Sequence, residues 1–122
     1  MWDYASSERY YKLALENKEK LFADNPAAYR ADLASTQINL GILYANAADY
    51  TQAMSTIDKA IELMPGETNF YDSKGEILLM QGKEQEALKM WKKILELNPK
   101  FLDDYPEGTN LSNGLKAKGL IK

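Results

Sequence analysis

The chain has 122 residues, of which 45% are hydrophobic and 27% are charged, and its formal net charge is −3. This composition is typical of a globular protein, and the mild negative charge argues against a nucleic-acid partner, which normally requires a clustered basic face. The sequence contains no cysteine and no histidine. This excludes disulfides, thiolate nucleophiles, Ser-His-Asp triads and ordinary zinc sites, so we expect no metal and no cofactor.

The sequence has no candidate membrane span and no signal-peptide pattern, although a soluble fragment of a longer exported protein would look the same. No apolar run approaches the roughly 20 residues that a membrane-spanning helix needs, and the N-terminal sequence MWDYASSERYYK does not have the pattern of a signal peptide. We therefore expect no membrane partner. A chain without cysteine is compatible with either redox environment, so the compartment stays open, with a cytoplasmic location slightly favoured.

The first half of the chain predicts two long helices. Apolar residues recur at three- and four-residue steps over residues 3–24, which is the period of a helical stripe. Asn25 and Pro26 then end this helix and begin the next, with asparagine as the N-cap and proline at the first helical position. We expect the second helix to extend to about Ala47.

Three further helices follow. Asp49 is the expected N-cap of the third helix, and Gln52 stands three residues later, where it completes a capping box. The third helix ends at the next Pro-Gly pair. We expect a fourth helix over residues 67–81, with Gly82 as a left-handed stop, and a fifth over residues 83–97.

The C-terminal segment, residues 100–122, is rich in turn residues. Within it, Thr109 is the expected N-cap of a short helix in which Leu111 and Leu115 share one face, and Gly119 ends that helix. We expect this segment to cover the apolar flank of the fifth helix. No stretch alternates with period two, so the chain is predicted to be all-α, with about six helices.

The middle of the chain repeats itself after 34 residues. Six residues return at this spacing: Gly41, Ala53, Lys59, Glu62, Leu63 and Pro65 recur as Gly75, Ala87, Lys93, Glu96, Leu97 and Pro99. Such a period is typical of stacked helical hairpins. Since glycine inside a helix costs ~1 kcal/mol relative to alanine, we expect the repeated glycine to allow a close helix crossing. Gly41 should meet Ala53 there, and Gly75 should meet Ala87.

These residues closely resemble the tetratricopeptide repeat (TPR) pattern, with Ala34 as its first position. The matching positions are Leu40, Gly41, Tyr44, Ala53, Ile57, Ala60 and Pro65, followed by Tyr71, Gly75, Leu78, Gly82, Ala87, Trp91 and Pro99. Lys74 departs from the leucine expected at its position. The resemblance, which is greatest to bacterial TPR proteins with long helices, implies a right-handed superhelical stack of antiparallel helix hairpins, a TPR-like solenoid.

The first helix follows the same pattern at a different spacing. Asp3, Tyr4 and Ser7 match residues that stand 46 positions later, at the start of the third helix. The first helix is thus predicted to be the second helix of an incomplete unit. The resulting organisation is a single domain, 1–122, made of an incomplete unit 1–25, full units 26–66 and 67–99, and a capping segment 100–122.

An incomplete unit leaves one helix face without its partner. We expect the surface around Trp2, Tyr10 and Leu13 to be uncovered. We expect this because the chain resembles a fragment of a longer array; the alternative is self-association through that face.

The resemblance further implies that the first helices of successive hairpins line a concave groove, which binds a peptide or helical segment of a partner protein. The groove positions transferred to this sequence are Ser35, Ile38, Asn39, Ile42 and Asn46 from the second helix, and Asn69, Asp72, Ser73, Glu76 and Leu79 from the fourth. The alternative is that these are ordinary surface residues without a ligand. Ile38 and Ile42 fit a packing contact with the first helix equally well.

Two sharper functions are not expected. Chaperone-binding TPR proteins hold a C-terminal carboxylate with two lysines, an arginine and two asparagines, of which this chain has only Asn39 in place, and Asp72 and Glu76 would repel an acidic peptide end. Acid–base catalysis would have to use carboxylate pairs, either Asp72 with Glu76 or Asp103 with Asp104. Such pairs on a helix surface are far more often solvated than catalytic.

We therefore predict a non-catalytic protein–protein interaction module whose partner is a protein or peptide. The alternative is a structural or oligomerisation module that packs, or forms a homodimer, through its N-terminal face.

Overall fold

The computed structural model describes residues 3–122, and within this range it contains seven α-helices and no strand. The helices are α1 (Tyr4–Asp24), α2 (Pro26–Asn46), α3 (Tyr50–Leu63), α4 (Thr68–Met80), α5 (Glu84–Leu97), α6 (Phe101–Asp104) and α7 (Asn110–Ala117). The predicted all-α fold class is confirmed. The helix beyond the six expected is α6, a single turn inside the turn-rich C-terminal segment.

Two compact units make up the chain, Met1–Pro65 and Gly66–Lys122. Their boundary lies within one residue of the predicted end of the unit 26–66. The joining of all predicted units into one continuous domain, and the superhelical stacking of the hairpins, stay predictions.

In the first unit, α2 is the central helix, because it contacts both α1 and α3. Its buried face includes Leu33, Leu40 and Tyr44, whereas α1 has no buried residue among those described. Side-chain contacts between α1 and α2 include an ion pair and a cation–π contact. Lys18 Nζ lies 2.7 Å from Asp32 Oδ2, and the Arg30 guanidinium lies 5.8 Å from the centre of the Phe22 ring, a favourable cation–π distance.

The helices of the first unit begin where the sequence predicts. Asp3, Asn25 and Asp49 each cap a helix, since a side-chain oxygen of each accepts a hydrogen bond from the backbone N–H three residues later, at 2.7, 3.3 and 3.3 Å respectively. Asp3 and Asp49 thus have the same role at the start of α1 and α3, as their 46-residue spacing predicts. Such a cap stabilises a helix by about 1 kcal/mol.

The capping box expected at Asp49 forms only in part. The Asp49 backbone N–H donates to the Tyr44 carbonyl at 2.9 Å. This hydrogen bond closes the end of α2 and leaves that donor unavailable to Gln52. The Gln52 side chain donates instead to the Asp49 carboxylate, with 2.7 Å between Nε2 and Oδ2.

The close helix crossing predicted at Gly41 is confirmed. A Cβ atom placed on Gly41 would lie 2.5 Å from Ile57 Cγ1 and 3.3 Å from the Ala53 carbonyl oxygen. Ala53 and Ile57 on α3 are fully buried. Only a glycine therefore lets α2 approach α3 this closely without displacing a buried side chain.

In the second unit, α4 and α5 form a hairpin, and α7 contacts both helices. Leu111 and Leu115 of α7 are fully buried, as their shared face predicts. Thr109 caps α7 in a reciprocal capping box with Ser112, at 3.1 Å for Ser112 N to Thr109 Oγ1 and 2.8 Å for Thr109 N to Ser112 Oγ. The C-terminal segment thus covers α5 as expected, and it also covers α4.

The structure shows a neighbour of Gly75 that the repeat does not indicate, while its crossing with Ala87 stays a prediction. The three atoms closest to a Cβ placed on Gly75 all belong to Leu111 of α7, the nearest at 2.5 Å. Position 91, which corresponds to Ile57 in the first hairpin, is a tryptophan. The Trp91 ring packs edge-on against Phe101 with 6.0 Å between ring centres, and Leu111 is the side chain that lies against the glycine.

Three helices end in the same left-handed turn. Gly82 and Gly119, the predicted stops of α4 and α7, have φ values of 77° and 73°. The residue after each donates its N–H to a carbonyl five residues back, at 2.9 Å in both cases, which is the Schellman arrangement. Ala48 forms the same turn at the end of α2 with φ 61°. In this left-handed conformation the Cβ atom of Ala48 is sterically crowded, which costs about 1–2 kcal/mol of stability.

Candidate partner-binding surface

The predicted groove residues of α2 fall into two groups. Ser35, Asn39, Ile42 and Asn46 are exposed, and their spacing of three and four residues places them on one face of the helix. We call these four residues the α2 strip. Ile38 is only 8% exposed. Its side chain belongs to the core. The burial of Ile38 therefore supports a packing role over a role in the groove.

Three of the predicted groove residues of α4 accept hydrogen bonds from the C-terminal segment. Asn69 Oδ1 accepts a hydrogen bond from the Tyr105 hydroxyl at 2.9 Å, and Asp72 Oδ1 accepts one from the Thr109 hydroxyl at 2.8 Å. One turn further along, Glu76 Oε1 accepts a hydrogen bond from the side-chain amide nitrogen of Asn110, also at 2.9 Å.

Apolar contacts continue the same interface. Leu111 lies against Gly75, and Leu79 Cδ1 would be 2.7 Å from a Cβ placed on Gly114. Ser73 is half-buried on the same helix. The structure therefore brings much of the α4 half of the predicted groove into contact with the chain's own C-terminal segment, while it leaves the α2 strip exposed.

The hydrogen-bond donors of the C-terminal segment were not identified from the sequence. Thr109 is predicted as a helix cap, and its hydroxyl has a second role in the structure, since it accepts from Ser112 N and also donates to Asp72. One sequence feature does indicate a contact on this side of α4. Hydrogen-bond acceptors stand in a row on one face of the helix, at Asn69, Asp72 and Glu76, and their spacing of three and four residues matches the helix period.

The carboxylates of α4 are used structurally. Burial raises the pKa of Asp72 above its usual value. The hydrogen bond from Thr109 opposes this shift, and the nearby charge of Glu76 adds to it. Asp103 and Asp104, the other carboxylate pair considered, are exposed at the end of α6. Among the described residues no group of three or more acidic or other metal-binding side chains is assembled into a metal site.

The N-terminal helix has an exposed apolar surface. Tyr10 and Leu13 are 56% and 55% exposed, and Tyr4 and Leu21 are also exposed on α1. Trp2, the third residue predicted on this face, lies outside the described residues. Within residues 3–122, no helix combines the length and apolar character needed to span a bilayer.

Comparison with known proteins gives a family and three relatives. Residues 34–66 match the family model described as Tetratricopeptide repeat. The chain is 30% identical over 120 residues to the photosystem I assembly protein Ycf3 of Prochlorococcus marinus, an alignment that covers 92% of this chain and 68% of that protein.

Two eukaryotic proteins match over shorter stretches. A protein STIP1 homolog from Dictyostelium discoideum is 35% identical over 72 residues, which is 59% of this chain and 13% of that protein. The human superkiller complex protein 3 is 35% identical over 62 residues, which is 51% of this chain and 4% of that protein. The chain therefore corresponds to only a small part of these two relatives.

Proposed function

This chain belongs to the tetratricopeptide repeat family, and we propose that it is a non-catalytic module that binds a segment of a partner protein along the α2 strip. The observation that carries this proposal is the contrast between the two predicted groove helices. The α2 strip is exposed, whereas the acceptors of α4 are hydrogen-bonded to the C-terminal segment.

The chemistry of the α2 strip suits a peptide ligand. The amides of Asn39 and Asn46 both donate and accept hydrogen bonds, so each can pair with the backbone of a bound segment. Ile42, which is 38% exposed, offers an apolar contact between the two amides. An amide–apolar–amide row along one helix face fits a partner segment that lies parallel to the helix, as in other helix-lined peptide grooves.

The relatives support a scaffolding role over a catalytic one. The Prochlorococcus relative is named as a photosystem I assembly protein, and its name indicates no reaction. The carboxylates considered for catalysis do not favour an enzyme, because Asp72 and Glu76 accept hydrogen bonds from the C-terminal segment. We carry over the class of partner, a protein, and not its identity.

Site-specific cross-linking tests this proposal. A photo-reactive amino acid is introduced at Asn39 in one variant and at Ser55, an exposed residue of α3, in the control. Both are irradiated in a lysate of the source organism, and the attached peptides are sequenced. We expect a defined partner segment on the Asn39 variant that is absent from the Ser55 variant and is lost when Ile42→Glu is added. Identical products from both positions would refute the proposal.

A second candidate function rests on α1. Leu13 is more than half exposed, and with Tyr10 it forms part of an apolar surface that could join two copies of the chain. Light scattering of the purified chain tests this alternative. A dimer that dissociates on Leu13→Glu, but not on the control change Ser55→Glu, would support it. A monomer at all concentrations would exclude it.

A further inference from the structure

A second surface of α2 contains a buried polar group without a partner. Gln37 is 6% exposed, and its Oε1 accepts no hydrogen bond from the described part of the chain. Buried side-chain oxygens are rarely left in this state, because the group has lost its hydration without gaining a donor. On the helix, Gln37 lies roughly half a turn from the α2 strip, so it belongs to a different surface.

Gln37 lines a cleft of 470 Å³ within the first unit. The cleft lies between the C-terminal parts of α1 and α3 and the middle of α2. Its other lining residues are apolar Phe22, Leu33 and Leu63 and charged Glu19, Lys59 and Glu62. Rotation about the terminal torsion of a glutamine has a broad, shallow energy profile. The Gln37 amide can therefore turn its oxygen toward a ligand in the cleft.

The repeat itself indicates what fits this space. Position 71, which stands 34 residues after Gln37, is a tyrosine, and its side chain is 9% exposed. The α3 residues that line the cleft are conserved between the two copies of the repeat, since Lys59, Glu62 and Leu63 return as the same residue types at the same spacing. The first copy thus has a shorter, aliphatic amide where the second has an aromatic ring with a hydroxyl group.

We propose that the Gln37 cleft binds a tyrosine side chain of a partner protein. The ring would pack against Phe22, Leu33 and Leu63, and the phenol hydroxyl would donate to Gln37 Oε1. Phenylalanine has the ring but no donor. An acidic side chain has no proton to donate to Gln37 Oε1 at neutral pH, and it would meet two carboxylates, Glu19 and Glu62, against the single cation of Lys59. This site is separate from the α2 strip and does not depend on it.

The first test uses two small probes on the uniformly ¹⁵N-labelled chain, N-acetyltyrosinamide and N-acetylphenylalaninamide. We expect the tyrosine compound to shift the side-chain amide signals of Gln37 and the backbone signals of Leu33 and Leu63. It should bind roughly 3- to 10-fold more tightly than the phenylalanine compound, the contribution of one hydrogen bond to a previously unpaired acceptor. Equal affinity for both probes, or no localised shifts, would overturn the proposal.

Two variants identify the group responsible. Gln37→Tyr fills the cleft with the chain's own ring, and we expect it to abolish the response to N-acetyltyrosinamide. Gln37→Leu keeps the cleft open but removes the acceptor, so both probes should bind with equal affinity. Persistent binding to Gln37→Tyr, or an unchanged preference in Gln37→Leu, would contradict the proposal.

One control separates this site from the proposed function. Asn39→Arg alters the α2 strip, and we expect it to leave the N-acetyltyrosinamide response unchanged. If N-acetyltyrosinamide does not bind the cleft while cross-linking at Asn39 still captures a segment, the α2 strip alone binds the partner. If N-acetyltyrosinamide binds the cleft and cross-linking at Asn39 captures no segment, the cleft is a binding site and the α2 strip is not.

Discussion

The α2–α3 and α4–α5 hairpins carry the same repeated residues, yet they use them against different neighbours. Gly41 lies against Ile57 of its own hairpin, whereas Gly75 lies against Leu111 of α7. The α2 strip is exposed, while three of the predicted groove residues of α4 accept hydrogen bonds from the C-terminal segment. The comparison shows that the repeated residues set the helix pairs, and that the C-terminal segment, which follows both hairpins, covers a face of only the second one.

The difference begins at one position of the repeat. Ile57 in the first hairpin corresponds to Trp91 in the second. The larger indole ring packs on Phe101, which lies outside the repeat, and a side chain from α7 lies against the glycine. The second hairpin therefore depends on the C-terminal segment for its packing.

The largest expected effect is a loss of stability when the packing of the C-terminal segment against the second hairpin is weakened. Leu111→Ala removes a fully buried side chain, and we expect the free energy of unfolding to fall by about 2–5 kcal/mol, the usual cost of a buried leucine. Urea unfolding followed by circular dichroism measures it. The matched control Leu13→Ala, at an exposed leucine of α1, should change stability by no more than about 0.5 kcal/mol. Equal effects of the two substitutions would contradict the packing described for α7.

The two glycines provide a direct test of their different neighbours. Gly41→Ala and Gly75→Ala each place a Cβ within 2.5 Å of a buried side chain. Overpacking should lower the free energy of unfolding by about 1–3 kcal/mol, and the better helix propensity of alanine should offset about 1 kcal/mol of this loss. We expect Gly41→Ala to couple with Ile57→Ala and Gly75→Ala to couple with Leu111→Ala, by about 0.5–3 kcal/mol in double-mutant cycles.

The crossed pairs serve as the control for these cycles. Gly41→Ala combined with Leu111→Ala should be additive within about 0.5 kcal/mol, because the two sites share no partner. Coupling of the same size in the matched and crossed pairs would mean that the glycine contacts are not specific.

The left-handed turns differ between the hairpins by a single residue type. Ala48 and Gly82 hold the same turn at φ 61° and 77°, but only glycine adopts it without steric cost. Ala48→Gly should raise the free energy of unfolding by about 1 kcal/mol, and Gly82→Ala should lower it by about the same amount. Thermal and urea unfolding check both signs. A loss of stability on Ala48→Gly would refute this interpretation.

The smallest effect concerns the α4 carboxylate beneath the C-terminal segment. The pKa of Asp72 in the folded chain is raised above its ordinary value of 3.8, mainly by burial. The folded state therefore binds this proton more tightly than the unfolded state. Protonated Asp72 therefore stabilises the folded state. This contribution is fully present at pH values below 3.8, and it is lost as the pH rises from 3.8 through the raised pKa.

Asp72→Asn removes this titration while keeping an oxygen that accepts from Thr109. We expect the variant to gain stability relative to the native chain as the pH rises through that window, by up to about 0.5 kcal/mol, with no further change at higher pH. Urea unfolding of both proteins from pH 3 to pH 7 measures the difference. A relative stability that falls with rising pH would contradict the raised pKa.

Some features of the fold were predictable because they depend on neighbours in the sequence. Asp3, Asn25 and Asp49 cap their helices through the N–H three residues later, and Gly82 and Gly119 end helices by a local backbone turn. The shared buried face of Leu111 and Leu115 follows from the helix period. Contacts of this range are set by residue type and spacing alone.

The candidate binding surface was predictable only in part. The TPR resemblance pointed to the α2 and α4 faces, but the burial of Ile38 and the contacts of Asn69, Asp72 and Glu76 with the C-terminal segment depend on distant parts of the chain. The hydroxyl of Thr109 reaches Asp72 across 37 positions of sequence, and no periodic pattern encodes such a pair. The left-handed conformation of Ala48 was also missed, because alanine seldom adopts it.

The sequence by itself determined that this protein is built from helical hairpins of the TPR type, since its caps, stops and 34-residue period act locally and repeat. Only the tertiary structure decided which face of each hairpin is open. It set Leu111 against Gly75, tied α4 to the C-terminal segment and left the buried Gln37 Oε1 without a donor among residues 3–122. The physical reason is that a close-packed interior is filled by whichever side chain has the right shape and reaches the space, however far away it lies in the chain.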